Sequence, residues 1–261
     1  NLDKRKIDLL LVGYAGAGSF PQCFEFENEQ DKLQAAETKK LQFLKKAENY
    51  INLLRPVTFA PFAGTYILGS RLAPLSEYRG VPSVKAAIDY LNNALKGVST
   101  GIYLEKFDSY ECSSCTLNKF NEKCRLSYEE YKREIAQKPL DYDDDVWDDD
   151  VLEALIESAY SRFIARAEQI GFKSDTQVMI RTQRIVFKFS VYNKAEVIQN
   201  NCSIAEPYLK IEVDHNLLHR LLRGPRYAHW NNAEIGSHLK YVRKSAVHER
   251  GLHHCLCFLH S

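Results

Sequence analysis

The sequence predicts an α/β unit followed by an α+β unit, over residues 1–138 and 139–261. Three observations carry that reading. An unbroken apolar run, Ile7–Val12 (IDLLLV), stops at Gly13, and a long amphipathic stretch leads from it to a second apolar run at Val57–Ala60. An acidic tract, Asp141–Asp150, interrupts the pattern. Beyond it the order becomes one helix, several strands of alternating character, and short helices. The first pattern is a βαβ unit with parallel strands; the second suits a sheet with one covered face.

Each element follows from local chemistry. A continuous apolar run is expected to form a strand buried on both faces. Leu41, Leu44, Ala47, Ile51 and Leu54 recur every three or four residues, one helix face, and Pro56 stops the helix. Ser83 can cap a helix using Val84, Ile88, Leu91 and Leu95, with Gly97 as terminator. Ile102–Phe107 reads as a strand, and Cys112–Arg125 as an irregular polar excursion. The tract Asp141–Asp150 holds seven aspartates in ten residues. It is either a cation site or a solvated linker whose last carboxylates favour the positive end of the next helix. That helix carries Leu152, Leu155, Ile156, Ala159, Phe163 and Ile170 on one face and ends at Gly171. Val178 and Ile180, then Ile185 to Val191, then Leu209, Ile211 and Val213 alternate as antiparallel strands do. Leu217, Leu218, Leu221 and Leu222 form a short helix ended by Gly224-Pro225, and His248–His260 reads as helical.

Composition bounds the function. Apolar residues are 45% and charged residues 26%, a globular balance. A formal net charge of +1 supplies no global field for nucleic acid or an anionic membrane, so neither partner is expected. No apolar run reaches the length of a membrane span. Seven cysteines, an odd number in a chain of this size, point to a reduced, cytoplasmic compartment. The chain opens on Asn1 and its one methionine is Met179, so a piece of a longer protein is expected.

Four stretches could carry chemistry. Cys112-Ser-Ser-Cys115 with Cys124 offers three thiolates of a zinc site, or free thiols on a loop. His253, His254, Cys255, Cys257 and His260 could gather ligands on one helix face, or pack a terminal helix. Gly13-Tyr14-Ala15-Gly16-Ala17-Gly18 follows a strand but opens no helix, so it is not a dinucleotide fingerprint. Tyr227–Gly236 (YAHWNNAEIG) could line a pocket or be a turn pinned by its own buried side chains.

Two segments resemble a known family. IDLLLVGYAGAGSFPQCFEF (7–26), with LLRPVTFAPFAGTY (53–66), resembles the closing βαβ unit of the metallo-β-lactamase fold. More narrowly it resembles the branch that contains CMP-N-acetylneuraminate hydroxylase and its bacterial relatives, and the stretch Leu217–His260 is similar to that branch's closing pattern. The strands-then-helix order also looks like a sterol-carrier module. The resemblance implies the C-terminal half of a metallo-β-lactamase-like αββα domain followed by a small α+β domain. It implies one or two zinc or iron ions held by a His-x-His-x-Asp-His motif that these 261 residues lack. It would have to come from the missing N-terminal half of the same domain. Ala63 stands where ordinary members carry a metal-binding histidine, and Gly13 where the animal hydroxylases carry an aspartate.

Ligands of open α/β sheets bind beyond the carboxyl ends of the strands. Tyr14, Gln22 and Cys23 after the first strand, and Phe62, Thr65 and Tyr66 after the second, are therefore the expected substrate-binding residues. The expected function is that of a metal-dependent hydrolase or oxidoreductase acting on a nucleotide-linked or phosphorylated sugar, inactive as this piece. Two alternatives stand beside it. One is a non-catalytic binding or scaffolding module with a decayed metal site. The other is an apolar-ligand carrier with its pocket between the strands and the helix Leu152–Ile170.

Overall fold

The computed structural model describes residues 6–64, 66–120, 127–199, 204–244 and 248–261. Its architecture is mixed, with helices and three sheets. The first sheet has the order β1-β2-β3, with β1 at Leu9–Gly13, β2 at Thr58–Phe62 and β3 at Thr100–Gly101, all parallel. Helix α1, Glu29–Leu54, makes the first crossover. The Asn28 side chain caps it by accepting from the Asp31 N–H at 2.8 Å, and Arg55 ends it in the left-handed region. Helix α2, Val84–Ala94, makes the second crossover and starts at the expected cap, Ser83. The βαβ unit read from the sequence is thus present.

Three details differ from expectation. β1 is not buried on both faces: Leu10 and Val12 turn to the α1 and α2 side, whereas Leu11 is 52% exposed. In α1, Leu44, Ala47 and Ile51 are buried, but Leu41 and Leu54 at the ends of the stripe are exposed. The third strand is Thr100–Gly101, and Ile102–Phe107 does not continue it. Gly101 fits there because the Phe59 ring lies 2.6 Å from where a Cβ would stand, and Asn92 accepts its N–H at 2.7 Å.

A hairpin follows, with β4 at Ser109–Glu111 and β5 at Thr116–Asn118. Cys112 and Cys115 occupy its turn. Tyr110 reaches back from the hairpin to within 2.7 Å of the Thr58 hydroxyl on β2. Helix α3, Tyr128–Gln137, opens with a capping box of Ser127 and Glu130.

The second sheet has the order β10-β9-β6-β7-β8. Its strands are β6 Gln177–Arg181, β7 Val186–Phe189, β8 Glu196–Ile198, β9 Tyr208–Glu212 and β10 Lys240–Lys244. It is not wholly antiparallel as the alternation suggested. β6 and β9 pair in parallel, Val178 beside Leu209 and Ile180 beside Ile211. Alternation along one strand reports which face is buried and is silent on partner direction. The face with Val178, Ile180, Phe187, Phe189, Leu209 and Ile211 packs into one core with α4 (Leu152–Gln169), α5 (His215–Arg223), α6 (Trp230–Ile235) and α7 (Arg250–Leu256). Helix α4 buries Leu152, Ile156, Ala159, Phe163 and Ala167; Ile170 falls at its C-cap and is exposed.

The loop after β1 ties the two sheets together. Tyr241 N–H donates to the Cys23 carbonyl at 2.8 Å and Glu25 N–H donates to the Tyr241 carbonyl at 2.9 Å, so residues 23–25 extend the β10 edge. Phe24 stacks on Tyr241 with ring centroids 4.9 Å apart. Cys23 belongs to the second core although its strand belongs to the first sheet. No helix among the described residues is long and apolar enough to cross a membrane.

Candidate functional site

The two turns expected to carry the site do meet. A Cβ on Gly64 would lie 2.3 Å from the Tyr14 ring, so only glycine lets that ring seat against the second turn. What they build is packing rather than a rim. Tyr14, Gln22 and Cys23 are buried. Gln22 Nε2 donates to the Gly18 carbonyl at 2.5 Å and to Ser237 Oγ at 3.0 Å, while its Oε1 has no partner. Burial pushes the Cys23 thiol up to about 11, against the lowering influence of a Ser237 hydrogen bond. It is a protonated, shielded thiol rather than a nucleophile. Phe62 is exposed, the Tyr66 ring lies under the Arg79 guanidinium at 4.3 Å, and Thr65 lies outside the described residues.

The larger cavity is elsewhere. About 530 Å³ opens at the carboxyl ends of the parallel pair β6 and β9, against the 3-10 segment Ser70–Tyr78. Its charged walls come from Arg71, Arg181, Lys240, Glu212 and Asp214, and its apolar wall from Leu72, Leu75 and Val213. Register explains part of the set. Arg181 pairs across the sheet with Glu212, and Glu212 with Lys240, so the three share one face in one row. Arg71 Nη1 holds Asp143 at 2.5 Å and Nη2 holds Asp214 at 3.1 Å. Tyr142 and His238 close the inner wall, 2.8 Å apart at the hydroxyl and Nδ1. Burial raises the phenol and lowers the imidazole, so one hydrogen bond joins two groups that are neutral near pH 7. The cavity lies in the size range of small-molecule sites.

In the acidic tract Asp141, Asp144, Asp148, Asp149 and Asp150 are exposed and the last three open the turn into α4, as a solvated linker would have them, but several of its carboxylates are also held by distant side chains. Arg220 clamps Asp145 at 2.6 Å and Asp141 at 2.7 Å. Asp149 Oδ1 lies 2.7 Å from His215 Nε2 and 3.0 Å from His219 Nε2, and its Oδ2 accepts from Arg184 at 3.1 Å. Hydrogen bonds from both imidazoles and the guanidinium, His215 foremost, hold the Asp149 carboxyl below the usual carboxylate range. His219 is fully buried, and that burial lowers its pKa, so the ring is neutral near pH 7. Asp149, His215 and His219 present ligand atoms within 4.8 Å of one another and could hold a metal ion. Thr182 and Asp214 join this triad to the cavity: both line it, Thr182 Oγ1 lies 3.2 Å from His215 Nδ1, and Asp214 caps α5.

The other candidates separate. Among the described residues no group of three ligand side chains includes Cys112 or Cys115, both exposed, and Cys124 lies outside the described residues. The terminal cluster also fails to gather: His253 turns to Glu234 at 3.7 Å, His254 to Arg166 at 2.8 Å, and Cys255 is buried. In the stretch Tyr227–Gly236, buried Trp230 donates its indole N–H to the Leu259 carbonyl at 2.6 Å, which pins the turn. The space beside α4 measures about 320 Å³ and is lined by Glu153, Glu157 and Lys194 together with Ile156, Tyr160 and Val197. Sequence reasoning missed His215 and His219, whose spacing of four on a predicted helix was the available signal. It also missed Arg71, Arg181 and Lys240, which nothing local marks. Comparisons with protein-family models, with curated proteins and with solved structures find no match.

Proposed function

We propose that the chain is the ligand-holding part of a metal-dependent hydrolase or oxidoreductase on a metallo-β-lactamase-like scaffold, and that its ligand is a nucleotide-linked or phosphorylated sugar. The observation that carries the proposal is the cavity at the ends of β6 and β9. Arg71, Arg181 and Lys240 suit a phosphate, since guanidinium and ammonium groups donate to its oxygens. Glu212, Gln183 and Thr182 suit sugar hydroxyls, and Leu72, Leu75 and Val213 suit an apolar ring face. Two features support the scaffold: the parallel β1-α1-β2 unit and the open side of β1, against which that fold lays a further sheet. On this reading zinc or iron is held by ligands outside these residues, and the missing half covers β1. Unpaired Cys23, Cys112, Cys115, Cys255 and Cys257 suit a cytoplasmic setting.

The second reading, a binding module without catalysis, draws on Ala63. It sits at the second turn with φ of 52° and offers no ligand atom. Calorimetric titration with a sugar phosphate and a nucleotide-linked sugar tests ligand holding. Binding by the chain is expected, weakened about tenfold or more by R181Q or K240Q, as loss of a charged hydrogen bond implies. No binding of either compound would remove the ligand reading, and equal affinity for the unphosphorylated sugar would remove the phosphate. Elemental analysis of the longest natural form carrying D149N, which takes the Asp149, His215 and His219 group out of the count, decides catalysis: about one or two ions per chain support it, and none leaves the binding module.

A further inference from the structure

We propose that Asp149, His215 and His219 form a site for one divalent transition-metal ion, and that Arg223 controls its occupancy. The site is independent of the sugar reading and of the family's metal motif. His215 and His219 lie one turn apart on α5, their ring centroids 4.9 Å apart, with side-chain exposures of 8% and 0%. Their Nε2 atoms converge on one carboxylate oxygen of Asp149. The Asp149 side chain is 43% exposed, so water can complete the coordination from the solvent side. Two imidazoles and one carboxylate suit zinc, iron(II), cobalt or nickel, and not calcium or magnesium, which take oxygen ligands.

The surrounding donors decide whether an ion can enter. A metal-bound histidine donates its other N–H to an acceptor. For His215 the candidate is Thr182, whose Oγ1 stands 3.2 Å from Nδ1; it accepts the Arg184 and Ile185 N–H groups at 3.1 and 3.0 Å, so it has to release one of them to accept from Nδ1. For His219 the partner has no lone pair at all. Arg223 Nη1 stands 3.0 Å from Nδ1, and a guanidinium can only donate. Arg223 therefore keeps the His219 lone pair on Nδ1 and the proton on Nε2, where it bonds Asp149 instead of leaving room for an ion. Trp147 holds the arrangement, stacked on His219 at 5.8 Å with the Arg223 guanidinium 4.3 Å from its ring. Metal entry requires Arg223 to swing away and the His219 proton to move from Nε2 to Nδ1, and no oxidant or reductant is needed.

The test is titration of the full 261-residue chain with Co²⁺, in a C112S/C115S background that removes the hairpin thiols, read by visible absorption of the bound ion. One ion per chain is expected, lost in D149N and in H219A with circular dichroism confirming their fold. R223Q supplies an amide oxygen that can accept from Nδ1, so it should bind about tenfold tighter, the low end of the range for partners of metal ligands. Binding in R223Q alone also supports the proposal and makes the control by Arg223 complete. Equal affinity in R223Q and its parent would overturn the control. No absorption in either, or absorption that survives D149N and H219A, would overturn the site and leave a closed hydrogen-bonded knot.

Discussion

The two sheets of this chain are finished to different degrees. The five-stranded sheet packs one face against α4, α5, α6 and α7, and its core includes Phe163, Phe187, Leu218 and Trp230, all buried. The three-stranded sheet has helices on one side, with Val12, Phe59, Leu91 and Ile51 beneath them. Its other side leaves Leu11 52% and Phe62 57% exposed, and Leu53 at the end of α1 is 79% exposed. The difference teaches where stability resides. Burial of apolar area is the main favourable force, so the second unit holds most of it. The sharpest way to break the comparison is a matched pair of truncations. Phe163→Ala should cost about 3–5 kcal/mol, the range for a buried aromatic. Leu53→Ala should change stability by no more than about 0.5 kcal/mol. Urea denaturation measures both, and a comparable loss from Leu53→Ala would mean that the first unit is closed by contacts the comparison overlooks.

The same contrast appears in acid. His238 and His219 are held below the ordinary imidazole value of 6.5 chiefly by burial, and both belong to the second unit. The unfolded chain therefore protonates before the folded one as pH falls. Stability present above that value is lost as pH drops below it, because the unfolded state binds more protons. The thermal midpoint should fall between about pH 7 and 5, ahead of the aspartates, which titrate in the lower carboxylate range. His238→Gln should flatten the slope. A slope unchanged by that substitution would assign the acid sensitivity to other groups.

What was legible in the sequence follows the same division between local and distant. α1, α2 and α4 could be read because their stripes or caps lie within a few residues: Leu44, Ala47 and Ile51, then Ser83, then the series Leu152, Ile156, Ala159, Phe163; the start of α1 at Asn28 was not read. The turn expected at Pro61–Gly64 could be placed only roughly: Pro61 and Phe62 still pair with β1, and the chain leaves the strand at Ala63. The parallel pairing of β6 with β9 could not, because Val178 meets Leu209 across intervening strands. The site suffered most. The spacing of His215 and His219 was an available signal that went unread, and Asp149 sits in a run of aspartates whose individual fates depend on Arg220, Arg71 and Arg184, each far away in the chain. Charge runs look alike until tertiary partners select one member. Cys23 failed for the same reason: its place after a strand suggested a rim, and the loop carried it into the core of the other sheet.

The smallest expected effect on stability tests the open face directly. β1 is an edge strand of its sheet, and Leu11 pairs with Ala60 on the side away from α1. An exposed apolar side chain on an edge strand invites pairing with another strand or chain. Leu11→Ser removes a side chain that is 52% exposed and outside the buried core, so the thermal midpoint should stay within about 1–2 °C, the shift a few tenths of a kcal/mol produces. The concentration at which the chain self-associates should rise, measured by light scattering. If the midpoint falls by as much as a core substitution causes, Leu11 is covered and β1 is not an open face. If the midpoint holds and association is unchanged, the face is open but the self-association lies elsewhere, and Phe62, exposed at the end of β2, is the next residue to change.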